Sequence, residues 1–381
     1  MVFLSQGLGK LEHTNKSDIR SLLHSELEEI IINMGHKRYR ADQIFDWLHK
    51  KRVENYGEMS NIPAALINEL SEDFMIYPVT KELVKSSELD GTKKYLFRLY
   101  DGNIIESVLM RYEHGNSVCV SSQAGCRMGC RFCASTIEGL ARNLTAGEML
   151  GQVYGIIKDT GERVSNVVIM GSGEPLDNYE SSVSFIRLLN SESGLNISQR
   201  NITLSTCGIL EGIKRLKEEN LSITLAVSLH AAFDEKRREL MPIADSYAID
   251  ELIEACRDYY EGRNRRLTFE YSLIKGFNDG NEDADRLSEL LYGLNAHVNL
   301  IPVNPVRKEP DTGGDHETAE QKGTENRTAR GIILREPEAA EVRAFQNKLD
   351  KNHINVTIRR ELGRDIDGAC GQLRRHYLNS F

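Results

Sequence analysis

Nowhere does an apolar run approach the roughly 18 residues that a membrane-spanning helix needs, which excludes a helical membrane protein. The first residues, MVFLSQGLGKLEHTNK, lack the charged-then-apolar order of a secretory signal, so the expectation is a cytoplasmic chain without a membrane partner. Basic residues are the minority: 48 Lys and Arg face 57 Asp and Glu, for a net charge of −9. Such a balance argues against coating nucleic acid over the whole surface but leaves room for a local basic patch. Cysteines are few and odd in number, 7 in all. Without an export signal they do not read as a disulfide framework, and metal binding or catalysis is the better expectation. A second CxxC pair, the usual mark of a closed zinc site, is missing.

What is present is globular: 40% hydrophobic residues, enough for one large domain with an appendage or for two domains. Apolar periodicity predicts helices at 17–35, 41–51 and 63–74, with Gly35 ending the first and a proline opening the third. Three β-like runs follow, parted by Asp-Gly turns at 90–91 and 101–102, with Glu106 inside the last. From about 116 the pattern alternates. Strands are predicted at 118–122, 166–170, 202–206, 223–228, 267–273 and 298–302. Helices fall between them near 145–158, 179–189, 209–219, 249–260 and 284–294, and a sixth near 337–351 follows the last strand. Six β-α units in series predict an α/β fold, a partial (β/α)6 barrel two units short of closure, with ligand chemistry at the C-terminal strand ends. The stretch 307–330 has no large apolar side chain and reads as a mobile insertion. One more strand and a glycine-rich loop carrying Cys370 close the chain. The division expected is a helical N-terminal module at 1–78, a β-meander linker at 79–111, the barrel core at 112–352, and a C-terminal strand and loop at 353–381.

The strongest chemical signal is Cys126-x-x-x-Cys130-x-x-Cys133, directly after the first barrel strand. Zinc is the plain alternative, but a closed zinc site takes four ligands. Three cysteines on a glycine-bearing loop suit a [4Fe-4S] cluster with one iron left open for substrate or cofactor. Other polar residues end successive strands: Gly173 and Glu174 in GSGEP, Ser205 in LSTCG, Ser228, Leu229 and His230 as SLH, and Asn304 in VNP. Each alone is usually a turn or a cap; gathered at one end of a barrel they make a site.

The cysteine spacing, with Phe132 before the third cysteine, resembles the signature of the radical S-adenosylmethionine (SAM) enzymes. CVSSQAGC, RNLTAGEMLGQV, GSGEPLDN, SLHAA with RRELMPI, VNLIPVNP and the terminal DIDGACGQLR further resemble the RlmN-type family of 23S rRNA and tRNA adenine-C2 methyltransferases. The resemblance spans nearly the whole chain, and its sister, the Cfr-type adenine-C8 family, shares much of the pattern. Ser172, where methionine is commoner, and the length of the 307–330 insertion depart from it.

The resemblance implies a radical SAM barrel, one [4Fe-4S] cluster on Cys126, Cys130 and Cys133, and SAM bound by Gly173, Glu174, Ser205, Ser228, Leu229, His230 and Asn304. It also implies a covalent mechanism. Adenine C2 is electrophilic and cannot take a methyl from SAM by displacement, so the Cys370 thiolate takes it first. Hydrogen removal from that S-methyl group by a 5′-deoxyadenosyl radical lets the methylene carbon add to C2. Cys119 then resolves the adduct and leaves a Cys119–Cys370 disulfide for reduction, with Glu106 as the acid/base residue. An electron donor such as flavodoxin or ferredoxin and a monomeric state are further implications.

Each residue has a plainer alternative. Cys370 could be a buried structural thiol, Cys119 a core residue between Val118 and Val120, and Glu106 the solvent-facing member of an alternating strand. Cys207 and Cys256 read as structural, and His230 as a backbone contact rather than a base. For RNA, the segment 36–52 interleaves Lys37, Arg38, Arg40, Lys50, Lys51 and Arg52 with Tyr39 and Trp47, opposed by Asp42 and Asp46. That pattern suits phosphate contact and base stacking, or equally a solvated helix face. Arg359, Arg360, Arg364, Arg374 and Arg375 flank Cys370 and could hold phosphates while the target base leaves its stack. Two rivals differ in class: a zinc-stabilised RNA-binding protein without catalysis, and a radical SAM enzyme for a small molecule.

Overall fold

A computed structural model describes residues 16–261, 265–303, 334–360, 362–366 and 372–378. Asn304, Cys370 and the insertion at 307–330 lie outside them.

The N-terminal module closes on itself through two short parallel strands, β1 (Ser17–Asp18) and β2 (Phe74–Met75). The helix predicted from 17 starts only at α1 (His24–Asn33). Before it, the Asp18 side chain accepts the Arg20 N–H at 3.1 Å and caps a single 3-10 turn, after which Leu22 and Leu23 are extended. Helix α2 (Tyr39–Phe45) runs into a wide π-type turn at Asp46–Lys51, which ends on Arg52 at a left-handed φ of 59°. Helix α3 (Ala64–Asp73) begins after Pro63, where a missing N–H costs nothing. Leu27, Ile31, Ile44, Phe45, Leu66 and Leu70 bury one face of these helices in the main core.

One sheet of 10 strands dominates the rest. Strands β3 (Val79–Ser86), β4 (Lys93–Leu99), β5 (Ile104–Tyr112) and β6 (Gly115–Cys119) pair antiparallel in succession. A separate hairpin follows, β7 (Gln123–Gly125) with β8 (Leu140–Asn143). Strand β6 then pairs parallel with β9 (Val164–Ile169), and β10 (Ile202–Thr206), β11 (Thr224–Ser228), β12 (Leu267–Leu273), β13 (Ala296–Pro302) and β14 (Asn355–Ile358) continue in parallel order. The linking helices are α4 (Ala146–Thr160), α5 (Tyr179–Asn190), α6 (Leu210–Glu218), α7 (Asp234–Leu240), α8 (Ile249–Tyr260), α9 (Asn281–Leu291) and α10 (Ala339–Lys351). This is an α/β fold with a mixed sheet, as the resemblance implies. The meander strands are hydrogen-bonded into the barrel sheet as its antiparallel continuation, a partnership that local patterning cannot reveal.

Helix α4 shows how locally the outer layer is specified. Thr145 and Glu148 form a reciprocal capping box, each accepting the other's N–H at 3.0 Å, and Gly161 ends the helix at φ 69°. The same helix start joins the N-terminal module to the barrel: Thr145 Oγ1 donates to Asp18 Oδ2 at 2.7 Å, and the Gly147 N–H to Ser21 Oγ at 2.9 Å.

Strand β5 is covered on both faces. Ser107 points to α4, where its hydroxyl donates to Gln152 Oε1 at 2.6 Å. The opposite face, with Leu96 and Ile104, is covered by Leu373 of a last helix, α11 (Gln372–Leu378).

Candidate active site

The β7–β8 hairpin clamps the loop bearing the three cysteines. The Cys126 N–H donates to Gly139 O at 2.9 Å, and a Cβ on Gly125, which sits at φ 82°, would stand 2.0 Å from that same oxygen. Within the loop the Cys133 N–H bonds Cys130 O at 3.1 Å, and Thr136 Oγ1 donates to Cys133 O at 2.9 Å. Burial pushes the Cys126 thiol up to about 11 and Cys130 well above its usual value, the neighbouring thiols adding to the rise at Cys130. The protein alone therefore does not favour thiolates here; bound iron, whose positive charge deprotonates coordinating thiols, would. Among the described residues no three His, Cys, Asp or Glu side chains gather closely enough to hold one ion. Cys126 and Cys133 both act on Cys130, and three thiols on one short loop suit a cluster with an open iron better than a closed four-ligand zinc site. The residues present fit a [4Fe-4S] group.

Gly173 and Glu174 border this loop but are held by the protein itself. Gly173 has φ 109°, and a Cβ there would lie 2.6 Å from the Cβ of Gln123 and 2.7 Å from its backbone nitrogen. Close passage of the 122–123 backbone thus requires glycine, whatever the cofactor needs. Glu174 is buried; its carboxylate accepts the Leu176 N–H at 3.0 Å and the Cys207 N–H at 2.7 Å, fastening the end of β9 to that of β10. Its acidity is lowered by burial, against those hydrogen bonds. Ser172, the departure from the commoner pattern, is buried with its hydroxyl 3.0 Å from that of Ser135 in the cysteine loop.

Ser205 and Ser228 are half-buried on β10 and β11, and Leu229 is fully buried. His230 adopts a left-handed φ of 59°, accepts the Ser272 N–H at Nδ1 (2.9 Å), and meets Phe132 of the cysteine loop edge-on, with centroids 4.7 Å apart. Burial holds its imidazole down to about 3, so it is neutral and carries its proton on Nε2. Its Nδ1 contact with the Ser272 backbone ties the end of β11 to β12.

Cys119 ends β6, 7% exposed. It stands opposite Val108, so its side chain shares the sheet face of Glu106, two residues along β5. Glu106 is only 3% exposed, which removes the solvent-facing alternative. It forms an ion pair with Lys94 at 3.3 Å, both side chains buried, and accepts the Arg374 N–H at 2.5 Å. Arg374 also donates from Nε to Ile104 O at 2.7 Å and pairs with Glu138 at 2.8 Å. The chain four residues beyond Cys370 is thereby fixed onto Glu106 and onto the far side of the cysteine loop.

The basic segment at 36–52 is less free than its sequence implies. Arg38 pairs with Glu28 at 2.8 Å, Lys50 and Lys51 share Asp46 at 3.8 and 3.6 Å, and His49 is buried and held down to about 3. Lys51 Nζ covers the Trp47 ring at 3.3 Å, whereas Tyr39 remains 46% exposed.

Glu270, missed in the sequence, lies on β12, buried beside Ser228 of β11 and accepting from Asn299 Nδ2 of β13 at 2.9 Å. One acidic residue within the otherwise uncharged run LTFEYSL was the available signal. Burial raises its pKa, opposed by the Arg359 charge and the Asn299 hydrogen bond. A raised native pKa means that stability is lost as pH rises from the unfolded value of about 4.3 through the native one. Glu270→Gln is therefore expected to melt higher than wild type near pH 8 and equally near pH 4. Thermal melts across that range check it, and a Gln variant that melts lower near pH 8 would show the ionised carboxylate to be stabilising.

Comparison with known proteins follows this geometry. Residues 120–288 match the Radical SAM superfamily model, and residues 17–76 match the ribosomal RNA large subunit methyltransferase N-terminal domain. The chain is 55% identical over 365 residues to a probable dual-specificity RNA methyltransferase RlmN of Lachnospira eligens, covering 95% of this chain and 97% of that one. It is 50% identical over 366 residues to the protein of the same description in Lachnoclostridium phytofermentans, covering 96% of each. Its fold superposes with a TM-score of 0.81 on a radical SAM methyltransferase crystal structure from Sphaerobacter thermophilus, at 40% identity over 93% of this chain and 98% of that one.

Proposed function

Because the chain belongs to the RlmN family of radical SAM RNA methyltransferases, we propose that it forms 2-methyladenosine in 23S rRNA and tRNA. The observation that carries this reading is the buried carboxylate of Glu106, on the sheet face of Cys119 and bonded to the segment that follows Cys370. A structural thiol in a terminal loop needs no such neighbour; a methyl-carrying thiol working with a resolving thiol and a proton acceptor does.

Cys126, Cys130 and Cys133 hold the cluster, which when bound supplies the electron that cleaves SAM to methionine and a 5′-deoxyadenosyl radical. Glu174, His230 and Phe132 fix the strand ends and the loop against each other, so the co-substrate meets a rigid floor. Ser205, Ser228, Leu229 and Asn304 contribute the remaining contacts to SAM. Cys370, its thiol proton lost first, attacks the methyl carbon of one SAM, and S-adenosylhomocysteine leaves as the methyl–sulfonium bond breaks. The 5′-deoxyadenosyl radical takes a hydrogen atom from the S-methyl group, the methylene carbon adds to adenine C2, and the adduct gives up one electron to the oxidised cluster and its C2 proton to Glu106. The Cys119 thiolate attacks the Cys370 sulfur to form a disulfide, and the methylene carbon leaves with the electron pair of its bond to sulfur and takes up a proton to become the methyl group. A low-potential donor such as flavodoxin or ferredoxin supplies the electrons. Tyr39, with Arg40 4.9 Å from its ring, offers an exposed stacking surface for RNA on the N-terminal module.

The deciding assay is anaerobic. Reconstituted enzyme, methyl-labelled SAM, a reductant and unmodified rRNA or tRNA are incubated, and the labelled nucleoside is identified by mass spectrometry. The expected product is 2-methyladenosine, abolished by Cys370→Ala. Labelled 8-methyladenosine would assign the C8 reaction instead, and no labelled nucleoside from a cluster-loaded enzyme would sink the RNA reading.

A further inference from the structure

Arg237, on α7, is 0% exposed and is the largest fully buried side chain of the described residues. Its Nη2 donates to Cys207 O at 2.7 Å and its Nε to Leu229 O at 3.3 Å, at the ends of β10 and β11. Nη1 is buried and has no hydrogen-bond partner among the described residues. A guanidinium does not give up its proton in a protein, and burying one against carbonyl dipoles alone leaves its charge uncompensated. Burial keeps the nearby Cys207 and Cys130 thiols neutral, and the Asp234 carboxylate already accepts the Ile249 N–H at Oδ1 (2.9 Å).

The segment that carries Arg237 also supports the cysteine loop. The Arg131 N–H donates to Leu240 O at 3.0 Å, and a Cβ on Gly129 would stand 3.2 Å from Pro242. Cys130 and Phe132 pack on the small core of Cys207, Leu240 and Met241. The buried cation thus sits on the segment that supports the loop, bonded to the carbonyl of Cys207, whose side chain belongs to the small core on which Cys130 packs.

We propose that Arg237 is the built-in counter-charge of the iron–sulfur centre, a positioning residue that acts through Cys130 to make one-electron reduction of the cluster easier. The proposal rests on the reading that Cys126, Cys130 and Cys133 hold a [4Fe-4S] group. Three thiolates give that assembly a net negative charge, and uptake of one electron from a low-potential donor adds another. A fixed cation stabilises the reduced form more than the oxidised form, which raises the potential.

Full-length wild type, Arg237→Lys and Arg237→Gln are reconstituted anaerobically, assayed for iron and sulfide, and titrated with dithionite without SAM while the reduced cluster is followed by electron paramagnetic resonance. The expectation is about tenfold less reduced cluster for the Gln variant at a fixed potential, about 59 mV for one electron, with the Lys variant near wild type. An iron-loaded Gln variant that titrates with wild type overturns the proposal. So does an unchanged potential with weakened SAM binding, which would give the guanidinium to the SAM carboxylate. Wild type that binds no iron would instead sink the cluster reading itself. Where the Gln variant loses iron, the stripped proteins decide. Stripped Arg237→Gln melting at or above stripped wild type supports an uncompensated cation, and melting below it means that Arg237 serves only the two carbonyls.

Discussion

Glu106→Ala is expected to destabilise the protein by about 3–5 kcal/mol and to lower methyl transfer by a further factor of about 10² to 10⁴ in whatever fraction remains folded. Two losses combine in the stability term. The Lys94 ammonium, 0% exposed, loses the carboxylate 3.3 Å away against which it is buried. The Arg374 N–H loses its acceptor at 2.5 Å, loosening the helix that follows Cys370. Desolvation and chemistry are separable by substitution. Glu106→Gln keeps an acceptor oxygen for the Arg374 amide and removes only the charge, so it is expected to be milder in denaturant than Ala. The double variant Lys94→Met/Glu106→Leu removes both buried charges and is expected to recover most of the lost stability, short of about 1–3 kcal/mol for the unsatisfied amide. Neither should recover turnover, since neither can accept a proton. Urea melts and single-turnover labelling on the same preparations read the two effects apart. Wild-type methyl transfer by Glu106→Gln would remove Glu106 from the chemistry and leave it a structural ion pair.

What could be read beforehand was whatever is encoded within a few residues. The strands at 202–206 and 267–273 match their predicted limits because strand formers there (Ile202, Thr203, Thr206; Thr268, Phe269, Tyr271) follow basic or polar residues and precede Gly208 and Gly276. The Thr145–Glu148 box opens α4 one residue inside the predicted start. Features that depend on distant partners were not legible. The meander looks self-contained along the chain, yet β5 needs β6 on one edge, α4 on one face and α11 on the other, and that last neighbour arrives some 270 residues later (|i−j| = 268 for Glu106 and Arg374). Hence the alternation around Glu106 gave no warning of its burial. The basic segment at 36–52 is a like case: Glu28, which pairs with Arg38, sits on the preceding helix, outside that segment. At Gly173 the close neighbour is the 122–123 backbone, a segment distant in sequence that the GSGEP motif alone does not show.

The roles given to the two isolated cysteines meet their sharpest test in Cys119→Ala. The substitution exchanges one small buried side chain for another at the end of β6, and its cost in stability is expected to be about 1 kcal/mol, too little to unfold the enzyme. If Cys119 resolves the adduct, every step before resolution still proceeds. Cys370 is methylated, the methylene carbon reaches C2, and the reaction stops with RNA attached to protein. The expected readout is a species that migrates slowly in denaturing gels, carries label from SAM, and collapses on ribonuclease treatment. At most about one RNA per enzyme should be consumed, and added thiol reductant should not restore turnover, because no disulfide has formed to be reduced. The plain alternative makes the opposite prediction. Cys119 lies directly between the fully buried Val118 and Val120, and a thiol kept only for packing would give an Ala variant of near wild-type turnover with no trapped complex. The register argues for the first outcome: Val118 and Val120 belong to the main core, while Cys119, one residue out of step with both, turns to the face that carries Glu106.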